Sequence, residues 1–139
     1  YVKPHGALYN MMMRDVSVYT ALVKAVSLMR GDVSLMIMAV PHVQHYCDIA
    51  QSHGVSILLE AFCDRAYNND GLLQSRQEAG AVYSDLESIV TQANSLIFQQ
   101  QVLSYSGQIL DVTADTICVH GDGDLAVSSV KAIRHLLSE

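Results

Sequence analysis

Leu35-Met36-Ile37-Met38-Ala39-Val40 is an unbroken apolar run closed by Pro41. A half-exposed strand alternates apolar with polar residues, so a short continuous run marks a strand buried on both faces, the situation of parallel sheets covered by their crossover helices. Val55 to Glu60 repeats this pattern, and Thr116-Ile117-Cys118-Val119 is a shorter copy. At the start of the chain, Pro4 biases Lys3 toward an extended backbone, so Val2 to His5 reads as a further strand running into a loop.

Between the runs the period changes. Val16, Tyr19, Leu22, Val23, Val26 and Met29 recur every three or four residues, with Asp15 placed as N-cap and Gly31 as stop. Val43, Tyr46, Cys47 and Ala50 predict a second helix ending at Gly54. Ser84-Asp85-Leu86-Glu87 has the form of a capping box ahead of the stripe Leu86, Ile89, Val90, Ala93, Leu96 and Ile97. Ala126, Val130, Ile133 and Leu137 stripe a final helix, and Val102 to Val112, broken at Ser106-Gly107, reads as a hairpin. Four strands alternating with helices imply an α/β fold of parallel βαβ units, in which the polar residues after each strand gather on one face. The long polar stretch Cys63 to Arg76, with its turn Asn68-Asn69-Asp70-Gly71, follows one of these strand ends.

A chain of 139 residues, half of them hydrophobic, suffices for one compact unit. Its net charge of −6 with only eight Lys and Arg argues against nucleic acid and anionic membranes as partners. No apolar run approaches the ~20 residues of a spanning helix. Cys47, Cys63 and Cys118 are odd in number and lack a C-x-x-C pair, which fits a reducing cytoplasm and neither a disulfide framework nor a cysteine zinc site. The opening Tyr1-Val2-Lys3-Pro4-His5 reads as the middle of a domain, so residues 1–139 are expected to form a single partial domain.

Several residues at the strand ends carry chemistry. His5 is either a hydrogen-bonded turn histidine or a proton-transfer group, and Lys3 either a solvated charge or a ligand for an anion. Glu60 closes an apolar strand, where a carboxylate is costly unless paired. With Asp64 and Arg65 it is either an ion-paired loop support or an acid–base pair. His120-Gly121-Asp122-Gly123-Asp124 follows the last strand, with His120 placed to project as a base and Asp124 to cap the helix. Gly121 to Ala126 also matches the G-x-G-x-x-A dinucleotide fingerprint, but its two aspartates would oppose a pyrophosphate. A P-loop signature is absent from the sequence. His42 and His45 have the i, i+3 spacing that metals can use but lack a third ligand nearby, so with His53 they read as surface residues, and the methionines as adaptable packing.

Val2-Lys3-Pro4-His5-Gly6-Ala7-Leu8-Tyr9-Asn10, Glu60-Ala61-Phe62-Cys63-Asp64-Arg65-Ala66-Tyr67, Asp70-Gly71-Leu72-Leu73 with Arg76 and Gly80-Ala81, and Cys118-Val119-His120-Gly121-Asp122 together resemble the LamB/YcsF family in order and spacing. The resemblance implies a seven-stranded β/α barrel similar to the glycoside hydrolase and deacetylase barrels, of which this chain is the C-terminal part. It implies ATP-dependent opening of 5-oxo-L-proline to L-glutamate with 5-oxoprolinase subunits B and C, ATP being a co-substrate of the complex. The N-terminal family motifs D-L-N-x-D-x-G-E and G-F-H-A-G-D are not found here, and Cys63 stands where the family usually has Ala. On this reading His5, Glu60, Asp64 and His120 share acid–base work, while Lys3, Arg65, Arg76 and Asp122 contact substrate. Two alternatives stand beside it: a metal-dependent amide hydrolase, suggested by the deacetylase-like architecture and using histidines on the barrel mouth with the metal left open, and a non-catalytic interaction subunit. The chain alone is expected to be inactive.

Overall fold

The computed structural model describes residues 1–138. Helices α1 (Ala7–Met12) and α2 (Val16–Ser27) lead into strand β1 (Leu35–Met38), helix α3 (Gln44–Ser52) and strand β2 (Ile57–Phe62). After a long loop come helix α4 (Leu86–Asn94), a π-helical turn (Ser95–Gln99), strands β3 (Gln101–Leu103) and β4 (Ile109–Asp111), strand β5 (Thr116–Cys118) and helix α5 (Ala126–Leu136). The order is that of a mixed α/β fold.

β1, β2 and β5 form a parallel sheet in that spatial order, with Met38 beside Glu60 and Glu60 beside Thr116. The continuous apolar run behaves as its pattern demands, since all of Leu35 to Met38 is buried. Val2 does not extend into a fourth strand. It makes one parallel bridge with Leu35, through Val2 N to Ser34 O and Met36 N to Val2 O, and Pro4, which has no N–H, follows two residues later. Among the described residues the sheet is therefore open, three strands and a bridge.

Asp15 caps α2 by accepting from the backbone N–H of Ser17 and Val18. The stripe Tyr19, Val23 and Val26 then faces the main core with Leu35, Ile37 and Met38, while Met29, the last residue of the expected stripe, lies beyond the helix and is exposed. The cap of α4 is Asp85 rather than Ser84, accepting from Ser88 N, because an ionised carboxylate at that position holds the first turn more strongly than a hydroxyl one residue earlier. Its helix stops at Asn94, where the chain widens into the π turn and ends with Gln100 at φ 54. Gln100 is held there by Val112 N, which donates to its carbonyl, so the hairpin begins just past the stripe, whose last residues Leu96 and Ile97 pack inward from the π turn. Asp124 does not cap α5, whose N-cap is Leu125 without a side-chain bond. α1 had no clear period to announce it, yet it buries Tyr9 and Met12.

Two cores result. The larger joins α1, α2, β1 and β2 with Tyr67 and the hairpin residues Val102 and Leu110, and the smaller joins Cys63, Ile89, Ala93 and Ile133 where α4 packs on α5. The loop after β2 is ordered between them. Asn68 Oδ1 accepts from Asp70 N and Leu72 N, and Gly71 sits at φ 78 against Pro41.

An added Cβ at Gly71 would lie 2.4 Å from Pro41 Cδ in a backbone region that L-residues avoid. Gly71→Ala is expected to cost at least about 1–2 kcal/mol, read as a loss of several degrees in the thermal midpoint of the protein.

Candidate active site

β2 is the middle strand, and residues two apart on a strand share a face. Glu60 and Phe62 use that rule, both pointing toward α1 and the N-terminal segment. Glu60 is 4 % exposed and lies inside the strand rather than at its end. Its carboxylate accepts from Lys3 Nζ at 2.6 Å through Oε1 and from the Tyr9 hydroxyl at 2.9 Å through Oε2. The Lys3 ammonium also stands 5.6 Å from the Tyr9 ring centre and 5.7 Å from that of Phe62, with Cys118 Sγ at 3.8 Å. Tyr9 and Phe62 meet edge to face at 5.9 Å. Burial pulls the Lys3 ammonium toward neutrality, but the Glu60 hydrogen bond and the surrounding negative potential outweigh it and leave its pKa above the usual value. Burial and the adjacent Glu60 push the Tyr9 hydroxyl well above its usual range, so Tyr9 remains a donor.

One turn after β2, Asp64 meets His120, which follows β5. Asp64 Oδ2 accepts from His120 N at 2.8 Å and faces Nδ1 at 2.9 Å, with Oδ1 at 3.1 Å from the same nitrogen. An ionised carboxylate can only accept, so Nδ1 carries the proton and Nε2 is left as the basic atom. Burial opposes the Asp64 charge, but the His120 side-chain and backbone bonds prevail and hold its pKa below the usual carboxylate value. The His120 ring stacks on Phe62 at 5.8 Å and 22°, so one aromatic side chain touches both polar groups.

The two groups border a cleft of about 700 Å³, lined by Lys3, His5, Tyr9, Arg14, Phe62, Arg65, Arg76, Cys118 and His120 among others. Four of the protein's eight Lys and Arg line it and no Asp or Glu does, although the chain is anionic as a whole. His5 is exposed at this cleft and comes near neither carboxylate by any hydrogen bond. Arg65 lies on the wall but is 5 % exposed. Its Nε donates to Ala81 O at 3.0 Å and its Nη2 to Gln74 O at 2.6 Å, so it braces the loop from within. Burial, with Arg76 nearby, lowers its pKa somewhat. Arg76 makes a 3.5 Å contact to Asp122, a pair exposed enough to contribute little to stability. Asp122 faces a smaller cavity of about 220 Å³ on the other side of His120, together with Asp64 and Arg76.

Sequence reasoning placed Lys3, Glu60, Asp64 and His120 at strand ends; the structure brings them into two adjoining pairs. It did not single out Tyr9, Phe62 or Arg14. Phe62 was legible as the same-face neighbour of Glu60, and Tyr9 only through its place in the first motif, while Arg14 gave no signal. Cys63 is fully buried and its thiol is pushed up to about 12 by burial and by Asp64, which makes it inert. Among the described residues no three His, Cys, Asp or Glu side chains gather as a metal site would require, and no helix is long and apolar enough to cross a membrane.

The sequence model of the LamB/YcsF family matches residues 1–139. A protein from Vibrio vulnificus, named as the A subunit of 5-oxoprolinase, is 43 % identical over 139 residues, and one of the same name from Vibrio cholerae is 45 % identical, each alignment covering all of this chain and 56 % of the relative. The chain thus spans about half the length of the curated relatives it matches. The crystal structure of a lactam utilization protein from Thermus thermophilus is similar with a TM-score of 0.82 at 32 % identity, covering 99 % of this chain and 53 % of that one.

Lys3→Met would leave the buried Glu60 charge with Tyr9 as its one side-chain donor. Because the ammonium is itself partly solvated, a loss on the order of 3 kcal/mol in urea unfolding is expected, at the low end for a broken buried pair. Asp64 has its folded pKa below its unfolded one, so its contribution is full at neutral pH and fades as pH falls through the folded value. The stability difference between wild type and Asp64→Asn should therefore narrow on acidification from pH 7 to pH 3; a constant difference would contradict the pairing.

Proposed function

The chain belongs to the LamB/YcsF family, and from that premise we propose that it forms the C-terminal part of the A subunit of an ATP-dependent 5-oxoprolinase. The remainder of the subunit completes a β/α barrel around the open sheet. The cytoplasmic complex contains subunits B and C and opens 5-oxo-L-proline to L-glutamate. The names of the relatives support this reading, and the observation that carries it is the Asp64–His120 pair at a cleft whose charged lining is entirely cationic.

A lactam amide is a poor electrophile, and ATP consumed by the complex activates it by phosphorylation. The present residues supply the steps that follow. His120, held through Nδ1 by Asp64, takes a proton from water at Nε2 as the water adds to the ring carbon bearing the phosphorylated oxygen, and returns it to the ring nitrogen as the C–N bond breaks; the acyl phosphate so formed reacts with a second water to give the L-glutamate carboxylate and inorganic phosphate. Lys3, fixed by Glu60 and the two aromatic rings, places a positive charge beside the phosphorylated lactam oxygen and its phosphoryl charge. Arg14 and Arg76, the cleft guanidiniums not anchored to backbone carbonyls, hold the substrate carboxylate. Glu60 keeps Lys3 in place, Arg65 stiffens the loop, and His5 stands exposed on the cleft lining.

With B and C present, His120→Ala in the full-length protein should lower kcat by roughly 10²- to 10⁴-fold, the range of a lost acid–base group. Arg76→Gln should act mainly on KM, by about tenfold or more. Unchanged turnover in His120→Ala would remove that residue from the mechanism. Unchanged turnover in Lys3→Met, Asp64→Asn and His120→Ala alike would point instead to a binding component of the complex.

A further inference from the structure

Gln92, on α4, is 7 % exposed and has three of its four hydrogen-bonding capacities, both amide N–H donors among them, engaged on or beside the site loop. Its Nε2 donates to Phe62 O and to Arg65 O, each at 2.8 Å, and its Oε1 accepts from the Tyr83 hydroxyl at 3.0 Å. The amide orientation is unambiguous, because both backbone partners are carbonyls and can only accept. The two carbonyls bracket Cys63 and Asp64, so a single side chain from 27 residues downstream joins both ends of the turn that carries the site carboxylate. Two further bonds finish the turn: Tyr67 OH accepts from Phe62 N at 2.7 Å, and Tyr83 N donates to Asp64 O at 3.0 Å. Phe62, at one end of the bracket, is also the ring on which His120 stacks.

We infer that Gln92 is the positioning residue for the Asp64–His120 pair: by clamping Phe62 O and Arg65 O it sets both the direction of the Asp64 carboxylate and the platform beneath the imidazole. No other side chain reaches both carbonyls among the described residues, and the role needs a primary amide. A carboxylate of the same shape has no hydrogen to donate, and an aliphatic side chain would leave two buried carbonyls without their partner. The Tyr83 hydroxyl holds the amide itself in register. The inference rests on the proposed acid–base role of His120 only for its catalytic consequence; the geometric part stands independently.

The experiment compares Gln92→Glu, Gln92→Leu and Tyr83→Phe with Asp64→Asn in the full-length protein. One readout needs no activity: the low-field proton resonance of His120 Nδ1–H bonded to Asp64. It should be lost or exchange-broadened in both Gln92 variants, weakened in Tyr83→Phe, and unchanged in Tyr19→Phe, a control that removes a distant bond to Tyr46 O. With subunits B and C and 5-oxo-L-proline, kcat should fall about 10- to 100-fold in the Gln92 variants, as a small misplacement of an acid–base pair costs, with KM within about twofold. The double variant Gln92→Leu/Asp64→Asn should lose clearly less than the product of the two single losses, since both act on the one Asp64–His120 pair. An intact resonance in every Gln92 and Tyr83 variant, or additive losses in the double variant, would overturn the inference. Should Gln92→Leu not fold, Gln92→Glu and Tyr83→Phe carry the same test. Wild-type turnover in His120→Ala with a perturbed resonance in Gln92→Leu would refute the proposed function and leave the positioning intact.

Discussion

A carboxylate in the middle strand of a parallel sheet is tolerable only if its charge is met, and Glu60 is met from one direction. Lys3 and Tyr9 both come from the first residues of the chain, and together they tie that segment across β2. The tie seats α1 on the sheet, places Tyr9 against Phe62, and brings Val2 into its bridge with Leu35. Leaving Glu60 unpaired would cost several kcal/mol, comparable to a large share of a domain's net stability. The short N-terminal segment is thus held by electrostatics and aromatic contact rather than by a strand ladder.

The second polar pair is built differently. Asp64 belongs to a turn whose backbone is bonded on every side: Cys63 N to Cys118 O, Asp64 O to Tyr83 N, Ala66 N to Ala81 O. Such a turn is rigid, and an anion on it points in one direction. The contrast separates the tasks of the two carboxylates: Glu60 is buried and serves Lys3, while Asp64, buried as well, serves a histidine that lines the cleft.

Much of this was legible in the sequence because the runs of apolar residues are strongly periodic. Leu35 to Met38 and the α2 stripe left little freedom, and polar residues after strands were sound places to look. What was not legible depended on competition that a local pattern does not contain. Val2 has the surroundings of a strand, but Pro4 and the lack of an outer partner among the described residues limit it to one bridge. Ile97 continues the stripe as expected, but the change of the last turn from α to π has no signal in that pattern. Arg65 resembles a substrate-facing charge beside Asp64, and only the tertiary placement of Ala81 O and Gln74 O shows that its Nε and Nη2 are engaged by the loop while it lines the cleft. Arg14 is invisible until the fold sets the turn between α1 and α2 beside Arg76.

The pairs Lys3–Glu60 and Asp64–His120 join residues 57 and 56 positions apart. Contacts at such separation form late, since the intervening chain must be ordered before they gain anything, and parallel pairing of β5 with β2 is the slow kind of closure. Asp64 and His120 cannot meet until β5 has docked on β2. The site therefore exists only once β5 has docked on β2, and a chain short of that docking carries the residues of the proposed reaction without the arrangement that could perform it.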